Sequence, residues 1–106
     1  MKSLGILKFG EVQINILSNS EALTLAELIF PINAIAPVHH HINEEINYIL
    51  EGEFESSLNG ELKILKQGDV LRVSPNDEHN LKNIGNVEGK ILTVWNPSRI
   101  DLIEKL

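Results

Sequence analysis

The feature that most constrains this chain is a hydrophobic period of two. In Glu11-Val12-Gln13-Ile14-Asn15-Ile16, apolar and polar residues alternate one for one. Side chains on a strand point alternately to opposite faces, so this pattern makes a half-buried strand. Short runs of similar character recur, each bounded by turn residues. Ser18-Asn19-Ser20 closes the first. Residues 22–30, ALTLAELIF, carry helix-favouring Leu, Ala and Glu behind a possible Ser20 cap. The Leu23/Leu25 alternation about Thr24, and the strands on either side, favour a strand there.

Further strands are expected over 46–50, 54–58, 62–65, 70–73, from His79 onward, and over 90–95. Asn59-Gly60 between two of them suits a two-residue type I′ hairpin, in which both positions need φ > 0. Gln67-Gly68-Asp69, Ser74-Pro75-Asn76-Asp77 and Asn96-Pro97-Ser98 are the remaining turns. Roughly eight to ten short strands with turns about every 8–12 residues predict an all-β sandwich or barrel. Ile100 to Leu106 fits a short terminal helix with Ile100 and Ile103 on one side. The 106 residues are expected to form one domain with one core.

The charge balance narrows the function. Acidic residues number 15 and basic ones 9, and no basic run occurs, so neither nucleic acid nor an anionic membrane is an expected partner. There is no cysteine, which excludes disulfides, thiolate catalysis and Cys-type zinc sites. The N-terminal stretch lacks the apolar block of a secretory signal, and no segment approaches the ~20 apolar residues of a membrane span. A cytoplasmic protein with a small-molecule ligand is the expectation.

The chemistry gathers at four residues. His39 and His41 share a face if the segment is extended, and Glu45 keeps that parity if the strand continues. His40 has the opposite parity and is expected to point outward. His79 opens a later strand and would approach from a neighbouring one. Imidazole and carboxylate together suit one divalent transition metal, Zn, Fe, Mn, Ni, Co or Cu, with coordination positions to spare for a ligand.

Around these residues the sequence resembles the cupin superfamily. The first cupin motif, Gly-x5-His-x-His-x3-4-Glu-x6-Gly, is matched from Asn33 through His39, His41 and Glu45 to Gly52, with Asn in place of the first glycine. The second begins at Gly68-Asp69, continues through Pro75-Asn76 to His79, and ends at Asn83, again with Asn76 at a glycine position. Asn is the non-glycine residue that best tolerates the left-handed region, so both turns should survive. The resemblance implies a double-stranded β-helix, the jelly-roll cupin barrel, with His39, His41, Glu45 and His79 as metal ligands. It also implies a homodimer, and half-covered sheets with many Ile and Leu suit a partner surface.

The run Thr93-Val94-Trp95-Asn96-Pro97-Ser98-Arg99 is similar to the end of a cupin subgroup from pectin and alginate degradation, where it reads roughly Asp-Val-Phe-Ser-Pro-Pro-Arg. Tyr48 and Leu50 to Gly52 extend the likeness. Those enzymes linearise unsaturated uronates, and their acidic residue is Thr93 here, which offers no general base near neutrality. Asn47, Thr93, Trp95 and Arg99 are the candidate substrate-binding residues. Arg99 either grips a substrate carboxylate or pairs with Asp101. Trp95 is either core or a stacking platform. Three functions are compatible with this pattern: a Lewis-acid sugar or uronate enzyme, a non-haem metal dioxygenase, and a non-catalytic ligand-binding or sensory module.

Overall fold

The computed structural model describes residues 3–106. Its strands are β1 (Gly5–Phe9), β2 (Val12–Asn19), β3 (Thr24–Phe30), β4 (Glu44–Glu51), β5 (Glu53–Leu58), β6 (Glu61–Lys66), β7 (Val70–Val73), β8 (His79–Asn83) and β9 (Gly89–Asn96). A one-turn helix, α1 (Ile100–Ile103), follows. The strands form an antiparallel six-stranded sheet ordered β1-β2-β3-β9-β4-β7 and a three-stranded sheet ordered β6-β5-β8. This is the expected all-β jelly roll.

The period of two sets which side chains fill the space between the sheets. Val12, Ile14 and Ile16 on β2 are buried, as are Ala26, Leu28 and Phe30 on β3. The polar residues between them face outward or sit at intermediate depth. Phe30 and Phe54, one from each sheet, meet edge to face at 5.1 Å. Gly89 lets β9 pass against this pair: a Cβ there would collide with the Phe54 ring. The strand reading of residues 22–30 is correct, since β3 pairs with both β2 and β9.

The turns follow their residue chemistry. Asn59 (φ 49°) and Gly60 (φ 84°) both lie in the left-handed region and join Leu58 to Glu61 as a two-residue hairpin. Asn33 and Asn76 each have φ 66°, the conformation for which glycine is the usual residue.

Two features of the sequence pattern were not resolved in advance. Residues 5–9 form a full edge strand, although Gly5, Ile6, Leu7, Lys8 and Phe9 contain no strictly polar alternation. In α1 it is Leu102 and Ile103 that pack on the core, whereas Ile100 is exposed, so Ile100 and Ile103 do not share a buried side. Among the described residues no helix is long and apolar enough to cross a membrane.

Candidate metal centre

The segment 34–41 is not a regular strand, and this changes how the histidines converge. A bend at Ile42 and Asn43 separates His41 from β4, which starts at Glu44. Strand parity therefore does not carry His39 and His41 to Glu45. Backbone bonds to β8 do so instead. His39 N–H donates to His79 O at 3.1 Å and His79 N–H donates to His39 O at 2.9 Å. Ala36 N–H donates to Leu81 O and Asn83 N–H donates to Ala34 O, each at 2.9 Å, which lays the segment along β8. Glu45 arrives from the other sheet. His39, His41, Glu45 and His79 then offer ligand atoms all within 4.8 Å of one another. His40 is exposed and outside the cluster.

Tautomers decide whether this cluster fits a cation. Each histidine Nδ1 lies against a backbone carbonyl: Pro37 for His39 at 2.8 Å, Asn43 for His41 at 3.0 Å, Asp77 for His79 at 2.8 Å. A carbonyl only accepts, so each Nδ1 carries the hydrogen and each neutral ring keeps its lone pair on Nε2. His41 Nε2 then faces Glu45 Oε1 at 3.1 Å, and His79 Nε2 faces Oε2 at 3.5 Å, acceptor against acceptor. His79 Nε2 is buried with no hydrogen-bond partner. An ion at the centre satisfies all of these groups at once, and the carbonyl-fixed Nδ1–H is the orientation that metal-binding imidazoles usually have.

The carboxylate is held by its own donors. Trp95 Nε1 donates to Glu45 Oε1 at 2.6 Å, and Asn47 Nδ2 donates to Oε2 at 2.8 Å. Thr93 Oγ1 in turn donates to Asn47 Oδ1 at 2.8 Å. Burial works to raise the Glu45 pKa, but with protons on Nε2 in place of an ion, hydrogen bonds from His41 and His79, the charge of His79 and the Asn47 bond outweigh it and hold the carboxyl well below the usual range. Burial works to lower the His79 pKa, and the facing Glu45 carboxylate overrides it and raises it. His39 is lowered, chiefly by burial.

The expected substrate-binding residues separate into two pairs. Asn47 and Thr93 are fully buried behind Glu45 and do not line the pocket. Trp95 and Arg99 do line it. Arg99 lines the pocket and also makes the expected pairing with Asp101, bidentate at 3.0 and 2.9 Å, while its guanidinium lies 4.9 Å from the Trp95 ring centroid. The pairing lowers the Asp101 pKa. Trp95 is likewise both core, at 3% exposure, and part of the pocket.

The pocket opens onto His39, Glu45 and His79 and is ringed by Lys8, Arg99 and Lys105. Sequence reasoning did not find Lys8, Lys105, or Phe9, whose ring meets His39 at 4.8 Å. It also missed Asn43, whose Nδ2 donates to Pro97 O at 2.7 Å and so ties the start of β4 to the turn before Arg99. Only the placement of β1 and α1 beside the centre identifies the lysines. No motif marks them.

The Cupin domain family profile matches residues 26–95, which include all four clustered residues. An uncharacterised protein of Methanocaldococcus jannaschii is 43% identical over 70 residues, 65% of this chain and 56% of that protein, so the chain spans little more than half of that relative. The pectin degradation protein KdgF of Dickeya dadantii is 32% identical over 90 residues, covering 83% of this chain and 80% of that one. Among solved structures, an RmlC-like cupin from Shewanella frigidimarina has a TM-score of 0.84 at 26% identity, over 92% of this chain and 87% of the other.

Proposed function

The chain belongs to the cupin family, and from that premise we propose that it is a metal-dependent enzyme acting on a small carboxylate-bearing ligand. His39, His41, Glu45 and His79 hold one divalent transition ion. When bound, the ion supplies Lewis-acid polarisation of a carbonyl or hydroxyl oxygen. The protein's own residues do the rest. The carbonyl-bonded imidazoles present Nε2, Trp95 and Asn47 fix the Glu45 carboxylate, and Arg99 with Lys8 and Lys105 attracts an anion into a chain whose net charge is -6. The observation that carries this reading is the buried, partnerless Nε2 of His79 facing the Glu45 carboxylate beside a basic-rimmed pocket. The likeness to a pectin degradation protein brings uronates into the ligand class.

A second reading, a non-catalytic binding module, draws on one observation. Glu45 is the only carboxylate lining the pocket among the described residues, and Thr93, at the position of the subgroup's acid, spends its hydroxyl on Asn47.

Elemental analysis of untreated protein, followed by assays with unsaturated uronates and simple carboxylic acids, tests both. One equivalent of metal with turnover supports the enzyme. Saturable binding without turnover supports the binding module. Oxygen consumption with a redox-active ion points instead to oxygenase chemistry. A His79→Ala variant that keeps the full metal stoichiometry overturns the four-ligand centre.

A further inference from the structure

The walls of the pocket say more about the ligand than its floor does. The cavity measures about 120 Å³. Val12, Ile14, Leu28 and Phe30 line it from β2 and β3, and Ala36 and Leu81 line it from the facing layer. Phe9 and Leu102 contribute from β1 and α1. Apart from His39, Glu45 and His79, the polar residues that line it are Asn80 and the three cations Lys8, Arg99 and Lys105. No Ser, Thr, Tyr, Gln or Asp side chain lines it.

A polyhydroxylated body placed there would give up its bonds to water and find few partners. Each hydroxyl left unpaired costs about tenfold in affinity. A hydrocarbon body has the opposite balance, because the same walls desolvate it. A purely apolar cavity of roughly 150 Å³ accepts a benzene-sized guest, which sets the scale for this one.

The polar end of the ligand is also specified. Asp101 occupies the Nε and one Nη of Arg99 on one side, and the guanidinium stacks against Trp95, whose Nε1 bonds Glu45. The cation is thereby fixed beside the metal-ligand set, and an anionic head between the two is complementary to both.

We propose that the site selects a small monocarboxylic acid with a hydrocarbon body of about four to six carbon atoms, aromatic or branched aliphatic, over sugar acids of similar size. The carboxylate lies between Arg99 and the metal centre, and the body is enclosed by Val12, Ile14, Leu28 and Phe30. This rests on the metal-and-carboxylate reading above and narrows it.

The test is calorimetric titration of the zinc-loaded protein with benzoate, 3-methylbutanoate, acetate and galacturonate, with benzyl alcohol as the uncharged control. Benzoate or 3-methylbutanoate should bind at least about tenfold tighter than acetate, galacturonate and benzyl alcohol. An Arg99→Leu variant should lose about tenfold or more for benzoate at unchanged zinc stoichiometry. Galacturonate binding as tightly as benzoate overturns the apolar-body inference and leaves the metal-and-carboxylate reading standing. A protein that takes up no zinc, or a zinc-loaded protein that binds none of the acids, overturns both.

Discussion

Asn76 shows how a single residue holds the site. Its φ of 66° would cost an alanine about 1–2 kcal/mol, whereas glycine adopts it freely, and its N–H donates to His41 O at 2.7 Å. Asn76→Ala should therefore lower stability by ~1 kcal/mol or more in chemical denaturation, and Asn76→Gly should change it little. Asn47 acts on the Glu45 carboxylate instead of the backbone. Its loss frees Glu45 Oε2, so Asn47→Ala should weaken metal binding by about 10–100-fold in a chelator competition assay.

The pKa shifts give a pH prediction whose sign reverses with metal. Without metal, the His79–Glu45 pair stabilises the fold while His79 is protonated. His79 is raised, so that contribution is full below 6.5 and lost as pH rises through the raised value. Glu45 is lowered, so its contribution is full above 4.5 and lost only as pH falls through the depressed value. His39 is lowered and works in the opposite sense, but only below 6.5, so in chelator the melting temperature should fall as pH rises above 6.5 into mildly alkaline buffer. With metal present the proton competes for Nε2, and affinity should rise over the same interval.

At this scale the four-residue cluster was legible, because the spacing of His39, His41 and Glu45 is local and the resemblance to the second cupin motif adds His79. The reason for their convergence was not. Parity assumed a strand through residues 39–45, and the bend at Ile42 and Asn43 breaks it. The reciprocal bonds between His39 and His79 replace it, and they link residues far apart in sequence. Asn47 and Thr93, expected at the substrate, are fully buried and do not line the pocket, because Asn47 spends its amide on Glu45 and Thr93 its hydroxyl on Asn47.

Among the elements, those with strict alternation or a specific turn were readable. The Asn59-Gly60 hairpin and the turns at Asn33 and Asn76 follow from residues that tolerate positive φ. Strand β1 was not readable, because Ile6 is exposed at the sheet edge while Leu7 and Phe9 face the pocket, leaving no polar residue to mark the outer face until Lys8. In the same way α1 turns Leu102 toward the core because its single turn is fixed by what it covers and not by its own periodicity. Close approach makes β9 sensitive at its first residue. Gly89→Ala drives a methyl group into the Phe54 ring and should cost about 1–3 kcal/mol, read from the denaturant midpoint.

For the whole molecule, the uncovered side of the larger sheet bears on assembly. Tyr48 and Val70 stand opposite each other on β4 and β7 and are 44% and 55% exposed. An isologous pair burying such residues is the expected assembly, and elution at monomer mass on a sizing column would refute it. The topology also determines what an ion would join. His39 and His79 belong to the layer built on β8, whereas Glu45 belongs to the six-stranded sheet. A bound ion is thus a rivet through the seam between two layers, added at this end to the chain through Ile42 and Asn43 and the Asn76–His41 backbone bond. Amide exchange in the two layers should then become coupled. Adding metal should slow exchange around His79 and around Glu45 together, while the turn at Gln67-Gly68, bonded to Ile49 toward the other end of β4, keeps its own rate.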